Sequence, residues 1–404
     1  MTAPDDWAAY TLGELFDFSN GINADKSAYG RGVPFVNVME VTRNEALTPS
    51  QIPGRITLPK AMLSRYEVKR GDVLFNRTSE TLEEVGMTAV YDGDEPVVFG
   101  GFVFRGRPRT SHMSSRYAKY ALRAAEVREQ IIARGQGEIR SNVGQRDLKT
   151  VRLHLPDLTE QAAIVGTLDD ATELITRLAR LIEKERKLHK GLMQGLLTGA
   201  TRLPGFSAPW RRTTLETLLA PRKERNADRS SFEVLSCTKH LGFVRSLDYF
   251  KNQVFSRDLS GYWIIRRGDI GYPANHVEEG SIGVQDLYDV GLVSPIYVVL
   301  RPLAGVNSFF LQRQLKLEKY RQEFAKVTNA SVNRRGSLRW PQFSQIEVWV
   351  PSYDEQSAIA EVLRESEGQI RLLELRHRKA VDVKQGMMQE LLTGRTRLPE
   401  VAAS

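Results

Sequence analysis

The feature that most constrains the fold is an internal repeat of about fifty residues. Residues 155–204 match residues 350–399 without a gap, and the offset is 195 from Glu160/Glu355 to Gly199/Gly394. The matches cluster at the two ends, as Pro-x-x-x-Glu-Gln at the start and Leu-Leu-Thr-Gly-x-Thr-Arg-Leu-Pro at the finish. A gapless match of this length indicates a duplication, so the chain must fold as two related halves.

Each copy of the repeat is predicted to form one long helix of roughly 57 Å. Thr159 and Asp354 are the predicted N-caps, and Gly199 and Gly394 are the predicted C-terminal stops. Apolar residues recur in steps of three and four, with polar interruptions at Glu185, His189, Ser366, His377 and Lys384. The predicted apolar stripe comprises Ile164, Leu168, Ala171, Ile175, Leu178, Ile182, Leu192 and Leu196 in the first copy, and Ile359, Leu363, Ile370, Leu373, Ala380, Met387 and Leu391 in the second.

Two helices with matching stripes in one chain can pack against each other. The intervening globular segment is long enough to reverse the chain, so we expect an antiparallel coiled coil that holds two lobes apart. The alternative is a generic coiled coil for dimerisation. The predicted boundaries are a first lobe at 1–154, a helix at 155–200, a second lobe at 201–349, a helix at 350–395 and a tail at 396–404.

The two lobes share a pattern that predicts an α+β fold. Each carries an Arg-Gly-Asp turn that leads into an apolar strand, at Arg70–Asn76 and Arg267–Pro273. Further strands (Val97–Phe104 and Leu292–Leu300), basic helices (Ser115–Ala133 and Ser308–Lys326) and short closing strands follow in the same order. The lobes differ more in sequence than the helices do, which is expected either from neutral drift or from lobes that read different targets on a common frame.

The bulk composition favours a cytoplasmic protein with an acidic partner. The formal net charge is +8 and the only cysteine is Cys237, so no internal disulfide can form. The first ten residues lack the charged start and apolar stretch of a signal peptide, and no run of about 18 apolar residues predicts a membrane span.

Together these residues resemble the specificity subunit of type I restriction-modification systems. The most specific parts are the paired helix starts at Pro156/Glu160/Gln161 and at Pro351/Glu355/Gln356, with the paired Leu-Leu-Thr-Gly ends. The resemblance implies two target-recognition domains, a split DNA site, docking of two methyltransferase subunits and later addition of nuclease-translocase subunits. Gly271-Tyr272-Pro273 departs from the family's usual apolar strand.

The sequence offers no catalytic constellation and no metal-ligand motif. It has no Gly-Lys dipeptide of a Walker A loop, no Asn-Pro-Pro-aromatic motif, no His-Glu-x-x-His, no Cys-x-x-Cys and no Gly-x-Ser-x-Gly. We therefore expect a non-catalytic chain without its own cofactor. By the resemblance, S-adenosylmethionine would belong to the methyltransferase subunits, and ATP and magnesium to the nuclease subunits.

Arginine suits guanine, and asparagine or glutamine suits adenine, so loops rich in glycine, asparagine and arginine are the predicted DNA readers. Two such loops, Arg134–Asn142 and Thr328–Ser337, precede the closing strands of the lobes. The DNA-binding candidates are Lys60, Arg65, Asn76, Arg77, Arg140, Ser141 and Asn142 in the first lobe, and Lys239, His240, Arg245, Asn275, His276, Asn329, Asn333, Arg334 and Arg335 in the second.

The best-matched helix ends are the predicted docking sites for the methyltransferase: Met193, Leu196 and Leu197, with Met388, Leu391 and Leu392. Packing between the helices would explain the same matches.

Two other function classes remain open: a coiled-coil scaffold whose basic lobes bind RNA or a membrane surface, and a nuclease with an unrecognised site. The helix length predicts half-sites about one to one and a half duplex turns apart.

Overall fold

The computed structural model describes residues 4–137, 141–275, 277–329 and 337–399. The chain divides into two compact units, one made of Met1–Ala179 with Leu375–Ser404 and the other of Arg180–Glu374. Each unit contains one lobe and parts of both long helices. In the described chain no helix combines the length and the apolarity needed to cross a membrane.

The first lobe is built on two small sheets. Its strands are β1 (Ala8–Thr11), β2 (Phe16–Asn20), β3 (Tyr29–Val36), β4 (Ala46–Leu47), β5 (Arg55–Ile56), β6 (Val73–Asn76), β7 (Thr78–Ser79), β8 (Thr88–Tyr91), β9 (Val98–Phe99), β10 (Val103–Pro108), β11 (Ser141–Asn142) and β12 (Arg152–Leu155). The main sheet has the order β2-β10-β6-β8-β4, and the smaller one β5-β3-β9. The lobe's helices are α1 (Leu12–Leu15), α2 (Val38–Arg43), α3 (Lys60–Tyr66), α4 (Ser115–Ala121), α5 (Ala125–Ile132) and α6 (Gln145–Lys149), and the long helix α7 (Leu158–Thr198) follows.

The second lobe repeats the central strand order. Its strands are β13 (Arg211–Thr214), β14 (Leu219–Pro221), β15 (Leu235–Thr238), β16 (Gly242–Arg245), β17 (Trp263–Arg266), β18 (Ile270–Pro273), β19 (Gly283–Val284), β20 (Val290–Val293), β21 (Tyr297–Pro302) and β22 (Glu347–Val350). The sheet β14-β21-β18-β19 corresponds to β2-β10-β6-β8 of the first lobe. The helices are α8 (Ser246–Tyr249), α9 (Ser308–Leu315), α10 (Glu318–Asn329) and α11 (Trp340–Phe343), and the long helix α12 (Tyr353–Leu391) follows.

In both lobes the first strand pairs with the last, β1 with β12 and β13 with β22, each antiparallel over four residue pairs. The chain therefore enters and leaves each lobe on one two-stranded ribbon. The closing strands were predicted, but their pairing partners were not. The prediction of two α+β lobes, each followed by a long helix, is confirmed.

The Arg-Gly-Asp turn of the first lobe is confirmed as a turn that leads into a buried strand. Gly71 has a φ of +88°, a left-handed conformation that suits glycine. Asp72 is almost fully buried; it accepts a 2.8 Å hydrogen bond from the amide of Lys69 and forms a salt bridge with Arg107. The aspartate therefore closes the turn and binds it to β10, which lies beside β6.

The second lobe uses the same device. Gly268 also has a φ of +88°, and buried Asp269 accepts from the amide of Arg266 and from the guanidinium of Arg222. The residues that depart from the family pattern still form β18, and Tyr272 within it is fully buried. The strands of the two lobes therefore correspond at this position.

Four predicted elements are each broken once. The Val97–Phe104 strand turns at Gly100–Phe102, and the Leu292–Leu300 strand turns between β20 and β21. The two basic helices divide into α4 and α5, and into α9 and α10. Arg123 lies at the break between α4 and α5, and its guanidinium donates to the carbonyls of Thr88, Val41 and Asn44. Hydrophobic periodicity continues through such short breaks, so it does not reveal them.

Both long helices begin before the predicted N-caps, although within the predicted segments 155–200 and 350–395. Asp157 accepts from the amide of Glu160 at 2.8 Å, and Ser352 accepts from the amide of Glu355 at 3.4 Å, so these residues are the N-caps. Thr159 and Asp354 lie inside the helices, and their assignment as caps was wrong. The predicted stops are confirmed by the positive φ angles of Gly199 (+74°) and Gly394 (+68°).

Within the second unit the two helices run antiparallel. Arg186 of α7 contacts Glu374 of α12 at 2.5 Å, and His189, one turn further on, contacts Ser366 at 3.0 Å. Buried Ile182 and Leu373 belong to the predicted stripes. In the first unit, Tyr120 lies between the two helices, with its hydroxyl donating to Asp169 and its ring under the ammonium group of Lys384.

Candidate nucleic-acid interface

The Glu-Gln pairs at the helix starts attach each lobe to its helix. Gln161 is fully buried. Its side-chain oxygen accepts from the amide of Ser114 at 2.9 Å, and its amide group donates to the carbonyls of His112 and Pro156 at 2.7 and 3.0 Å. Ser114 is the N-cap of α4, so one glutamine fixes the start of the lobe helix against the start of the long helix.

Gln356 makes the same contacts in the second lobe. Its oxygen accepts from the amide of Asn307 at 2.9 Å, and its amide group donates to the carbonyls of Gly305 and Pro351. Asn307 is the N-cap of α9, the counterpart of α4. From the sequence these glutamines were a family signature without a role. Their roles required knowledge of the backbone groups opposite them.

The glutamates beside them bind arginines from the opposite copy of the repeat. Arg202 forms a two-pronged ion pair with buried Glu355, at 2.5 and 2.7 Å. Arg397 binds Glu160 in the same way, at 2.5 and 2.8 Å, and Trp7 also donates to Glu160. The arginine of each Thr-Arg-Leu-Pro segment therefore binds the start of the other long helix through an ion pair.

The glycine-rich loop of the first lobe is anchored at the end of β6. The amide of Arg77 donates to the carbonyl of Phe102 at 2.9 Å, and the carbonyl of Arg77 accepts from the amide of Val143 at 3.1 Å. Gln136 and Asn142 exchange backbone hydrogen bonds of 2.9 and 2.8 Å across the base of the loop. These contacts hold the two ends of the loop together beside exposed Arg77.

The loop of the second lobe is anchored at the equivalent place. The amide of Ala274, after β18, donates to the carbonyl of Ile296, and its carbonyl accepts from the amide of Leu338. Asn275 pairs with Ser337 in an isolated bridge. Ala274 therefore corresponds to Arg77, and Ile296 to Phe102.

In the first lobe the structure separates the predicted DNA-binding residues into two groups. Lys60, Arg65, Arg77 and Asn142 are exposed. Asn142 accepts from the hydroxyl of Thr78 at 2.6 Å.

Asn76 and Ser141 are corrections to the prediction. Asn76 is fully buried, donates to the carbonyl of Glu84 and accepts from the amide of Thr78. Ser141 is buried in β11, where it pairs with Ser79 of β7. Both side chains are buried within the lobe, and neither is available to DNA.

In the second lobe Arg245 binds Glu233 at 2.7 Å and Asp248 at 3.3 Å, contacts that stabilise the β15–β16 hairpin. Lys239 and His240 are exposed at the turn of this hairpin. His240 lines a cavity of about 510 Å³ together with His189 and Arg371 of the long helices. The hairpin turn therefore faces the helices, a position that the sequence did not predict. Asn275 is half-buried beside Ser337.

The remaining candidates lie outside the described residues. They are Arg140, His276, Asn333, Arg334 and Arg335, together with the side chain of Asn329, the last residue of α10. Among the residues that the structure describes, no group of histidine, cysteine, aspartate or glutamate could hold a metal ion.

The predicted docking residues face inward. Leu196 and Leu197 are buried in the core of the second lobe, and Leu391 and Leu392 in the core of the first. Met193 and Met388 are half-buried against the same cores. This is a correction, since their close match in the repeat reflects packing of each helix end against a lobe. An outward set was missed: Leu174, Leu181 and Leu188, spaced by seven residues on α7 and 40 to 52% exposed.

Comparisons with known proteins agree with this architecture. The family described as "Type I restriction modification DNA specificity domain" matches residues 4–185. The chain is 28% identical over 205 residues to the type I restriction enzyme MjaX specificity subunit of Methanocaldococcus jannaschii, an alignment that covers 48% of this chain and 46% of that protein. The chain thus spans about half the length of this relative.

Two further similarities extend over both lobes. The type I restriction enzyme MjaVIII specificity subunit of the same organism is 22% identical over 306 residues, covering 71% of each protein. The crystal structure of the type I restriction-modification S subunit from M. genitalium has the same fold, with a TM-score of 0.56 at 16% identity over 97% of this chain and 98% of that one. Over residues 4–185 the chain is therefore similar to the type I restriction modification DNA specificity domain, and over nearly its whole length it has the fold of a solved S subunit.

Proposed function

We propose that this protein is the DNA-recognition subunit of a type I restriction-modification complex, that it reads a bipartite site and that it has no catalytic role of its own. The observation that carries the proposal is the equivalent anchoring of two loops of unlike sequence, at Arg77 and at Ala274, on corresponding frames. Two such loops in one chain suit two different half-sites separated by unspecified base pairs.

The chemistry of the loops suits duplex DNA. The chain's formal net charge is +8, and arginines neutralise phosphates while also reading guanine through two hydrogen bonds. Exposed Arg77 and Asn142 lie at the base of the first loop, where they can reach a base edge or a phosphate. Buried Asn76 instead supports the backbone below them.

The partners in this proposal are two methyltransferase subunits, to which nuclease-translocase subunits are added. Methylation within a duplex requires the target base to be flipped out, and the methyltransferase would perform that step with S-adenosylmethionine. ATP and magnesium would be bound by the nuclease subunits. The outward Leu181 and Leu188 of α7 are the proposed contact for a methyltransferase helix, because apolar residues seven apart form a coiled-coil seam.

The test is to express the chain with its methyltransferase subunit and to map modified adenines by sequencing the methylated DNA. We expect one motif made of two unlike half-sites with an unspecified spacer. Replacement of residues 211–350, the second lobe between its ribbon strands, by another lobe should change one half-site only. A continuous palindrome, or a change in both half-sites, would contradict the proposal.

A further inference from the structure

An exposed phenylalanine stands beside the loop of the first lobe. Phe102 is 59% exposed, more than any other large apolar side chain of that lobe in the described residues. It lies in the turn between β9 and β10, and its carbonyl accepts from the amide of Arg77. An isolated exposed apolar residue is common on protein surfaces, so the argument depends on how this one is held.

The backbone under Phe102 is fixed on several sides. Val103 donates to Gly100 at 2.9 Å, Gly101 donates to Ile22 at 2.8 Å, and Gly100 donates to Val36 at 3.0 Å. Side chains crowd both glycines: a Cβ at Gly101 would lie 2.0 Å from Asn23 Oδ1, and one at Gly100 would lie 2.9 Å from the Phe35 ring. The turn therefore presents the aromatic side chain in a pre-organised position, which lowers the entropic cost of binding.

Polar groups suited to base edges lie on the chain segments next to the turn. The guanidinium of Arg77 lies 3.4 Å from the carbonyl of Gly101, and Asn142 is anchored through Thr78 on the adjoining strand. In the major groove an arginine reads guanine, an asparagine reads adenine, and an apolar side chain contacts the C5 methyl group of thymine. The second lobe has half-buried Ile296 at the corresponding position, as expected if the lobes read different bases.

Resting on the proposed function, we infer that Phe102 is a specificity-determining residue that contacts a thymine methyl group in the half-site read by the first lobe. The ring would pack on the methyl group while Arg77 and Asn142 bind neighbouring polar edges.

The test measures the affinity of the methyltransferase complex for a duplex that carries the mapped site. Phe102→Ala should weaken binding by about tenfold or more, since loss of a buried phenylalanine contact corresponds to at least one factor of ten. The slope of affinity against salt should stay unchanged, because no phosphate contact is lost. Met39→Ala, at a 49% exposed position on α2 of the same lobe, is the matched control and should bind like the wild type.

Replacing thymine by deoxyuridine, one position at a time in that half-site, isolates the methyl group. At one position the wild type should lose about fourfold in affinity, the effect of one methylene-sized group, whereas Phe102→Ala should lose nothing. Equal losses for both proteins at every position, or a half-site without an A·T pair, would overturn the inference. If no bipartite motif is methylated, the proposed function is wrong. If a motif is mapped and the Phe102→Ala variant binds it as tightly as the wild type, only the inference about Phe102 is wrong.

Discussion

Adjacent residues at the end of β6 have opposite roles. Asn76 is buried and holds two backbone groups, whereas Arg77 is exposed at the base of the loop. Asn76→Ala should lower the free energy of unfolding by about 1–3 kcal/mol, because it leaves buried backbone groups without partners. Arg77→Ala should keep its thermal midpoint and lose about tenfold in affinity for the mapped site.

Thermal unfolding and DNA titration of both variants check this pair, with the Met39→Ala variant as the exposed control. The assignment fails if Asn76→Ala unfolds like the wild type and weakens DNA binding, or if Arg77→Ala destabilises the protein without affecting affinity.

His189 interrupts the apolar stripe and makes stability depend on pH. Burial lowers its pKa, which the nearby carboxylate of Glu367 raises only in part. A lowered pKa means that the folded state favours the neutral ring, so the unfolded chain binds more protons as the pH falls through about 6.5. Stability contributed by His189 is thus complete above that pH and declines below it.

We expect the urea midpoint of unfolding to fall between pH 7.5 and pH 5.5, and to fall less in the His189→Gln variant, which cannot titrate there. Groups elsewhere in the protein contribute equally to both proteins, so the difference isolates His189. Identical pH profiles would show that the ring is not a determinant of this dependence.

At the scale of elements, the long helices present two distinct apolar faces. The inward face carries Leu196, buried in the second lobe, and the outward face carries Leu188, 52% exposed. Leu188→Glu should remain folded and lose the methyltransferase subunit. Leu196→Asp should destabilise the second lobe by more than about 4 kcal/mol, because it buries a charge in an apolar core.

Circular dichroism against urea followed by size-exclusion chromatography with light scattering separates the two outcomes. Lys184→Glu, an exposed position on the same helix, is the control for added negative charge. Unchanged assembly with Leu188→Glu would exclude the outward face as the docking surface.

The elements that the sequence predicted well are those with a long repeating pattern. The long helices, the Gly199 and Gly394 stops and the Arg-Gly-Asp turns each depend on local spacing, and they were found. Of the predicted stripe, Ile182 and Leu373 are buried, but Leu192 is exposed, which corrects the prediction at that position. Burial of Asn76 and Leu196 depends on which element lies opposite, and local spacing does not contain that information. For the same reason a well-matched leucine in the repeat was assigned to a partner when it packs on a lobe.

At the scale of the whole molecule, the duplication has preserved equivalent contacts at the ends of the two repeat copies. Arg202 with Glu355 and Arg397 with Glu160 are the same ion pair formed twice, each between the end of one repeat and the start of the other. Trp210 lies against Gly199 as Trp7 lies against Gly394. The residues at the end of one copy therefore bind residues at the start of the other copy. These shared contacts explain why the matches between the copies concentrate at their two ends.

The ribbons β1–β12 and β13–β22 have a consequence for inheritance. Because each lobe begins and ends on neighbouring strands, a foreign lobe has to match the frame at one ribbon, at one glutamine contact and at the apolar surface against which the helix ends pack. The long helices on either side match in sequence at their ends, so the genetic segments that encode those ends can serve as points of crossover. A single recombination event could then give a lineage a new recognition site while leaving the machinery that uses it intact.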